Sequence, residues 1–73
     1  MKEPYIQALR GGHEMLQNLG APPVSREDRY KLVTRIEKML RLTDQENIEI
    51  SQIRESYIAR GLSALSQTES NPL

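Results

Sequence analysis

Apolar residues recur every three or four positions along three stretches of the chain, which is the spacing of a helix face rather than of a strand. These stretches predict helices over about residues 4–19, 25–42 and 44–65. The short connections between them suit a compact antiparallel arrangement. We therefore expect an all-α fold, a small three-helix bundle that forms a single helical domain over residues 1–66. A flexible C-terminal tail is expected at 67–73, where the sequence turns polar.

The apolar rows indicate which side chains should face the core. In the first helix the row is Ile6, Leu9, His13, Leu16 and Leu19. In the second helix it is Leu32, Val33, Ile36, Met39 and Leu40. The third helix has one seam at Ile50, Ile53 and Tyr57 and another, rotated from it, at Ile58, Leu62 and Leu65. One seam could pack inside the molecule while the other meets a second copy or a partner.

Capping residues mark where these helices begin and end. Ser25 is a favourable N-cap for the second helix. Thr43 and Glu46 have the spacing of a capping box for the third helix. Gly20 can end the first helix in the left-handed conformation. Ala21-Pro22-Pro23-Val24 then forms an extended connector.

Two local questions stay open at this level. Gly11 and Gly12 each disfavour a helix by about 1 kcal/mol relative to Ala, so the first helix breaks there or another helix approaches closely at that point. Residues 47–51 alternate with period two, so they form either the start of the third helix or a short extended segment with Ser51 as the N-cap.

The charges are balanced in total but unevenly distributed. The 73 residues carry ten Lys and Arg against ten Asp and Glu. Residues 25–42 contain six basic and three acidic residues, whereas 43–59 contain one basic and four acidic residues. A neutral total argues against binding nucleic acid by bulk electrostatics. The segregation instead gives the second and third helices faces of opposite charge.

The residues that usually carry catalysis or bind metals are scarce. There is no Cys and a single His, which excludes disulfide scaffolds, Cys-based metal sites and most nucleophile–histidine pairs. His13 is interpreted as a structural residue of the first helix. Asp44 and Glu46 are explained by helix capping, and the Gly pair lacks the strand and Lys of a phosphate loop. We therefore predict no enzyme, no cofactor and no metal site.

A basic row on the second helix is the most informative surface feature. Lys31, Arg35, Lys38 and Arg41 lie at steps of four, three and three. The row is interpreted as a solvated face, as a docking surface for an acidic protein or as a contact for nucleic-acid phosphates. The residues predicted to bind a partner are Tyr30, Lys31, Arg35, Lys38, Ile50, Ile53 and Tyr57.

The size and chemistry together favour an interaction role. For so short a chain, the free energy gained by burying apolar area is nearly offset by the conformational entropy lost on folding. Such a small net stability favours self-association or docking on a partner. We expect a small non-enzymatic regulatory or adaptor protein, of the inhibitor, antitoxin, anti-activator or accessory-subunit type, that binds another protein or a second copy of itself. The alternative is a nucleic-acid-binding regulator that uses the basic row. No apolar run could span a membrane and no secretory signal is visible, so a cytoplasmic location is expected.

Overall fold

The structure is a computed structural model that describes residues 2–69, with side chains through Ser66. Residues 2–69 form four helices and no strand. The helices are α1 (Lys2–Asn18), α2 (Arg26–Leu40), α3 (Asp44–Arg60) and α4 (Leu62–Glu69). The predicted all-α class and small bundle are confirmed. None of the helices in this part of the chain is long and apolar enough to cross a membrane.

Helix α1 runs through Gly11 and Gly12 without a break, which answers the first open question. A methyl group added at Gly12 would lie 2.8 Å from Leu32 Cδ1 of α2, whereas one added at Gly11 would have nothing within 4 Å. Gly12 therefore lets α2 approach closely. At the C-terminal end, Gly20 has φ of 77°. The Gly20 and Ala21 N–H groups donate to the Gln17 and Leu16 carbonyls, which completes the predicted glycine cap.

The N-terminal caps of α2 and α3 are those predicted from the sequence. Ser25 Oγ accepts from the Asp28 N–H at 3.1 Å. Thr43 and Glu46 form both hydrogen bonds of the capping box. Residues 47–51 are therefore helical, and the Ser51 hydroxyl donates to the Ile48 carbonyl instead of capping a helix.

Two predicted helix ends need correction. Helix α2 ends at Leu40 rather than near 42, because Arg41 adopts the left-handed conformation with φ of 52°. The third predicted helix divides at Gly61, whose φ of 87° ends α3 and lets α4 start in a new direction. Helix α4 also includes residues 67–69, which were assigned to the tail. The remainder of the predicted tail, 70–73, lies outside the described residues.

The core forms where the apolar rows of the helices meet. Helix α2 packs on both α1 and α3, and α4 folds back against α3. Because of this turn at Gly61, both predicted seams of the third stretch reach the same core. The buried apolar residues are Tyr5, Ile6, Leu9, Val33, Ile36, Ile50, Ile53, Tyr57, Ile58, Ala64 and Leu65.

Two polar contacts tie α3 to α2. Arg54 Nη1 donates to Glu37 Oε2 at 2.9 Å in a partly buried ion pair, and this hydrogen bond raises the pKa of Arg54. Arg29 of α2 donates from Nε to the Ile58 carbonyl and from Nη1 to the Val24 carbonyl, at 3.1 and 2.7 Å. Arg29 thus connects the proline-rich connector to α3 and fixes how α1 leads into α2.

Candidate functional site

An apolar groove lies between α1 and α2. Its volume is about 470 Å³. Ten residues line it, five from each helix, and only Arg35 among them is charged. The lining residues are Ala8, Gly11, Gly12, Met15, Leu16, Leu32, Arg35, Ile36, Met39 and Leu40. We refer to this surface as the α1–α2 groove.

The α1 side of the groove follows from one helical row. Ala8, Gly12, Met15 and Leu19 are spaced by four, three and four residues, so they lie along one face of α1. Gly11 leaves the groove open on the α1 side, whereas Gly12 lies where Leu32 of α2 packs closely against α1. Met15 is 64% exposed and Leu19 is 77% exposed, so this face is apolar and accessible.

The α2 side of the groove combines apolar and basic side chains. Met39 lies on the groove and is 73% exposed. A second, smaller cavity of about 290 Å³ adjoins the groove near the proline-rich connector and shares Leu16, Leu32 and Arg35 with it. Lys31 and Asp28 are the other charged residues that line this second cavity. Arg35 is therefore the charge that α2 places on the groove itself.

Two of the core assignments made from the sequence are wrong. Leu19 and Met39 were placed on core-facing rows, but both are largely exposed. The apolar arc of each helix is wider than the contact between α1 and α2 can cover, so the residues at its edge remain in solvent. The sequence features that could have indicated this exposed apolar surface are the excess width of the apolar arcs and the glycine pair.

The structure separates the residues that the sequence grouped as a partner site. Ile50, Ile53 and Tyr57 are buried at 0%, 3% and 0% exposure, so they are core residues and not a docking seam. This corrects the prediction for α3, because both seams lie in the core that α3 shares with the other helices. A protein partner cannot reach these three side chains while the bundle is folded.

The other four predicted site residues are exposed on α2, and Tyr30 lies on a different surface from the three basic residues. Arg35 lines the groove, and Lys31 lines the adjoining cavity, where it also contacts Glu27 at 3.6 Å. Lys38 is exposed one turn further along the helix. Tyr30 instead lines a separate depression between α2 and α3, with Arg26 and Glu55.

His13 has the structural role expected from the sequence. It is buried on α1, and its ring contacts that of Tyr57 edge-on with centroids 6.2 Å apart. Gln17 Nε2 donates to His13 Nε2 at 3.1 Å. His13 Nδ1 is hydrogen-bonded to the Tyr57 hydroxyl at 3.0 Å. Both ring nitrogens are satisfied, which explains the buried His without assigning it chemistry.

The tyrosines of the core differ in how their hydroxyls are satisfied. Burial raises the pKa of both Tyr5 and Tyr57 above the usual value for a phenol. The Tyr57 hydroxyl has His13 as a partner, whereas the buried Tyr5 hydroxyl has no hydrogen-bond partner among the described side chains.

Within the described residues, no group of three His, Asp or Glu side chains could hold a metal ion.

No family model matches the chain, and neither a curated protein nor a solved structure matches it. Over residues 2–69, the chain is a small all-α bundle with an open apolar groove between α1 and α2.

Proposed function

We propose that this chain is a small non-enzymatic protein that acts by binding another protein, and that the α1–α2 groove is the binding site. The observation that carries the proposal is the exposure of Met15 and Met39 on either side of an apolar groove. Methionine is flexible and polarizable, which makes it suited to surfaces that adapt to a partner.

The groove supports this role better than the basic row supports nucleic-acid binding. A row of cations that binds phosphates needs no apolar groove beside it, and Lys31 already has an acidic neighbour in Glu27. The groove also differs from a typical small-molecule site, where several polar groups converge on the ligand, because Arg35 is its only charged residue.

The proposal is tested by photo-crosslinking in nuclease-treated native lysate. A photoreactive phenylalanine replaces Met39 in the groove, and the matched control carries it at Ile48, which is 67% exposed on α3 and lies outside the groove. We expect a discrete crosslinked protein from position 39 and none from position 48. Both variants must keep the helical circular dichroism spectrum of the unmodified chain.

The crosslinking result can contradict the proposal in two ways. Crosslinks from position 48 but not from 39 would place the binding surface elsewhere. Binding of the unmodified chain to duplex DNA that weakens steeply with salt, together with no protein crosslink at 39, would favour the nucleic-acid alternative through Lys31, Arg35, Lys38 and Arg41.

A further inference from the structure

We infer that the occupant of the α1–α2 groove is an amphipathic helix that carries acidic residues beside its apolar face. This inference rests on the proposed function and adds the chemistry of the partner. It follows from the shape of the apolar surface, its length and the charges at its edges.

The length of the apolar surface indicates an elongated occupant. The row begins at the half-buried Ala8 of α1 and ends at Leu19, just after α1, so it extends over eleven residues or about 16 Å. Met15 and Leu19 are its largely exposed members. Leu19 lies outside the lining of the groove, so a small molecule inside the groove would leave it exposed. A helix of about three turns would cover Met15, Leu19 and Met39 together.

The charges at the two edges indicate the polarity of the occupant. The α1 side of the groove is lined only by uncharged residues. The α2 side presents Arg35 at the groove, with Lys38 exposed one turn beyond it, and these two residues form a basic edge. Lys31 and Asp28 line the adjoining cavity, where Lys31 already contacts Glu27. Acidic side chains on one flank of a docked helix would meet this basic edge and fix its orientation.

A second copy of the chain fits this surface less well. Two copies that docked through the same face would place two Arg35 side chains, and no acidic lining residue of the groove, in one interface. Like charges placed together at an interface oppose association, so the charge pattern favours a partner of the opposite sign.

The inference is tested with two synthetic helical peptides of about 15 residues, which is long enough to follow the groove. Both carry a leucine row at spacings of three and four, flanked by Glu in one peptide and by Lys in the other. Binding to the full chain is followed by NMR of methyl-labelled methionines, assigned with Met15→Leu and Met39→Leu. We expect the acidic peptide to shift the Met15 and Met39 signals and to bind about tenfold more tightly than the basic peptide at low salt. Each exposed ion pair contributes a factor of roughly two to five, so two pairs suffice.

Charge reversal on α2 gives the matched comparison. Arg35→Glu should remove or reverse the preference for the acidic peptide. Arg26→Glu changes the net charge equally on the same helix, but Arg26 lines the depression between α2 and α3 and not the groove, so the preference should persist. Equal effects of the two variants would show that the preference comes from net charge and would overturn the inference.

Other outcomes separate this inference from the proposed function. If neither peptide binds, or both bind equally, while position 39 still crosslinks to a protein, then the acidic-helix inference is wrong and the proposed function stands. If the Met15 and Met39 signals shift with the concentration of the chain alone, the occupant is a second copy. If no peptide binds and no crosslink forms at 39, both proposals fail.

Discussion

The close approach of α1 and α2 at Gly12 makes a strong prediction, because the adjacent Gly11 provides a control in the same turn of the same helix. Gly11→Ala adds a methyl group with no atom within 4 Å, whereas Gly12→Ala places one 2.8 Å from Leu32 Cδ1 and 3.4 Å from Cδ2. The two substitutions are chemically identical and differ in what the new methyl group meets.

The expected magnitudes follow from helix propensity and packing. Replacing Gly by Ala inside a helix stabilises it by about 0.5–1 kcal/mol, so Gly11→Ala should raise the free energy of unfolding by that amount. Gly12→Ala gains the same contribution but loses about 1–3 kcal/mol to overpacking. Because Cδ1 is the end of a side chain that can rotate, we expect a cost near 1 kcal/mol. Gly12→Ala should then be about neutral and Gly11→Ala clearly stabilising.

Urea unfolding followed by far-ultraviolet circular dichroism measures both changes, provided that the slope with denaturant stays constant. A difference of about 1 kcal/mol corresponds to about 4–8 °C in melting temperature for a domain of this size. The variant Leu32→Ala lacks the carbons that the new methyl group would contact. In that background, Gly12→Ala should be as stabilising as Gly11→Ala.

Two results would refute this reasoning. If Gly12→Ala stabilises the unmodified chain as much as Gly11→Ala does, the two helices do not meet closely at Gly12. If the difference between the two variants persists in the Leu32→Ala background, then the cost arises from a contact other than Leu32.

Further predictions concern the core tyrosines and the end of α2. Tyr57→Phe removes the partner of the buried His13 Nδ1, so it should lower the free energy of unfolding by about 1–3 kcal/mol. Tyr5→Phe removes an unpartnered hydroxyl, so it should leave the free energy of unfolding unchanged or raise it. Equal losses for the two variants in urea unfolding would contradict this. Arg41→Gly should raise the free energy of unfolding by up to about 1 kcal/mol, because Arg41 lies in the left-handed region. A loss of stability would instead show that the Arg41 side chain has a compensating contact. Burial raises the pKa of Tyr5 and Tyr57 in the folded state, so their contribution to stability is complete below about pH 10 and is lost as the pH rises further. Tyr30→Phe removes the exposed tyrosine, so that only Tyr5 and Tyr57 report ionisation. In this variant, tyrosinate absorbance should increase over the same pH range in which the helical circular dichroism signal is lost. Ionisation of the tyrosines while the helices remain intact would contradict this prediction.

The exposed basic residues of α2 are the part of the candidate site that the sequence predicted. The spacing of Lys31, Arg35 and Lys38 placed them on one side of α2, and all three are exposed there. Their role in binding remains a prediction. Pattern alone did not show that Arg35 borders an apolar groove, because the groove depends on where α1 lies beside α2.

The helical class and the caps at Gly20, Ser25 and Thr43 could be predicted from the amino-acid sequence alone. These features depend on hydrogen bonds between residues at most five positions apart, so the information is contained in short segments. Which part of each wide apolar arc is buried depends on how the helices pack. Ile53 and Tyr57 of α3 are buried in the common core, where Tyr57 meets His13 of α1, while Met15, Leu19 and Met39 remain in solvent. The physical reason is that a helical period identifies an apolar face, whereas the burial of each side chain depends on the neighbouring helices that cover it.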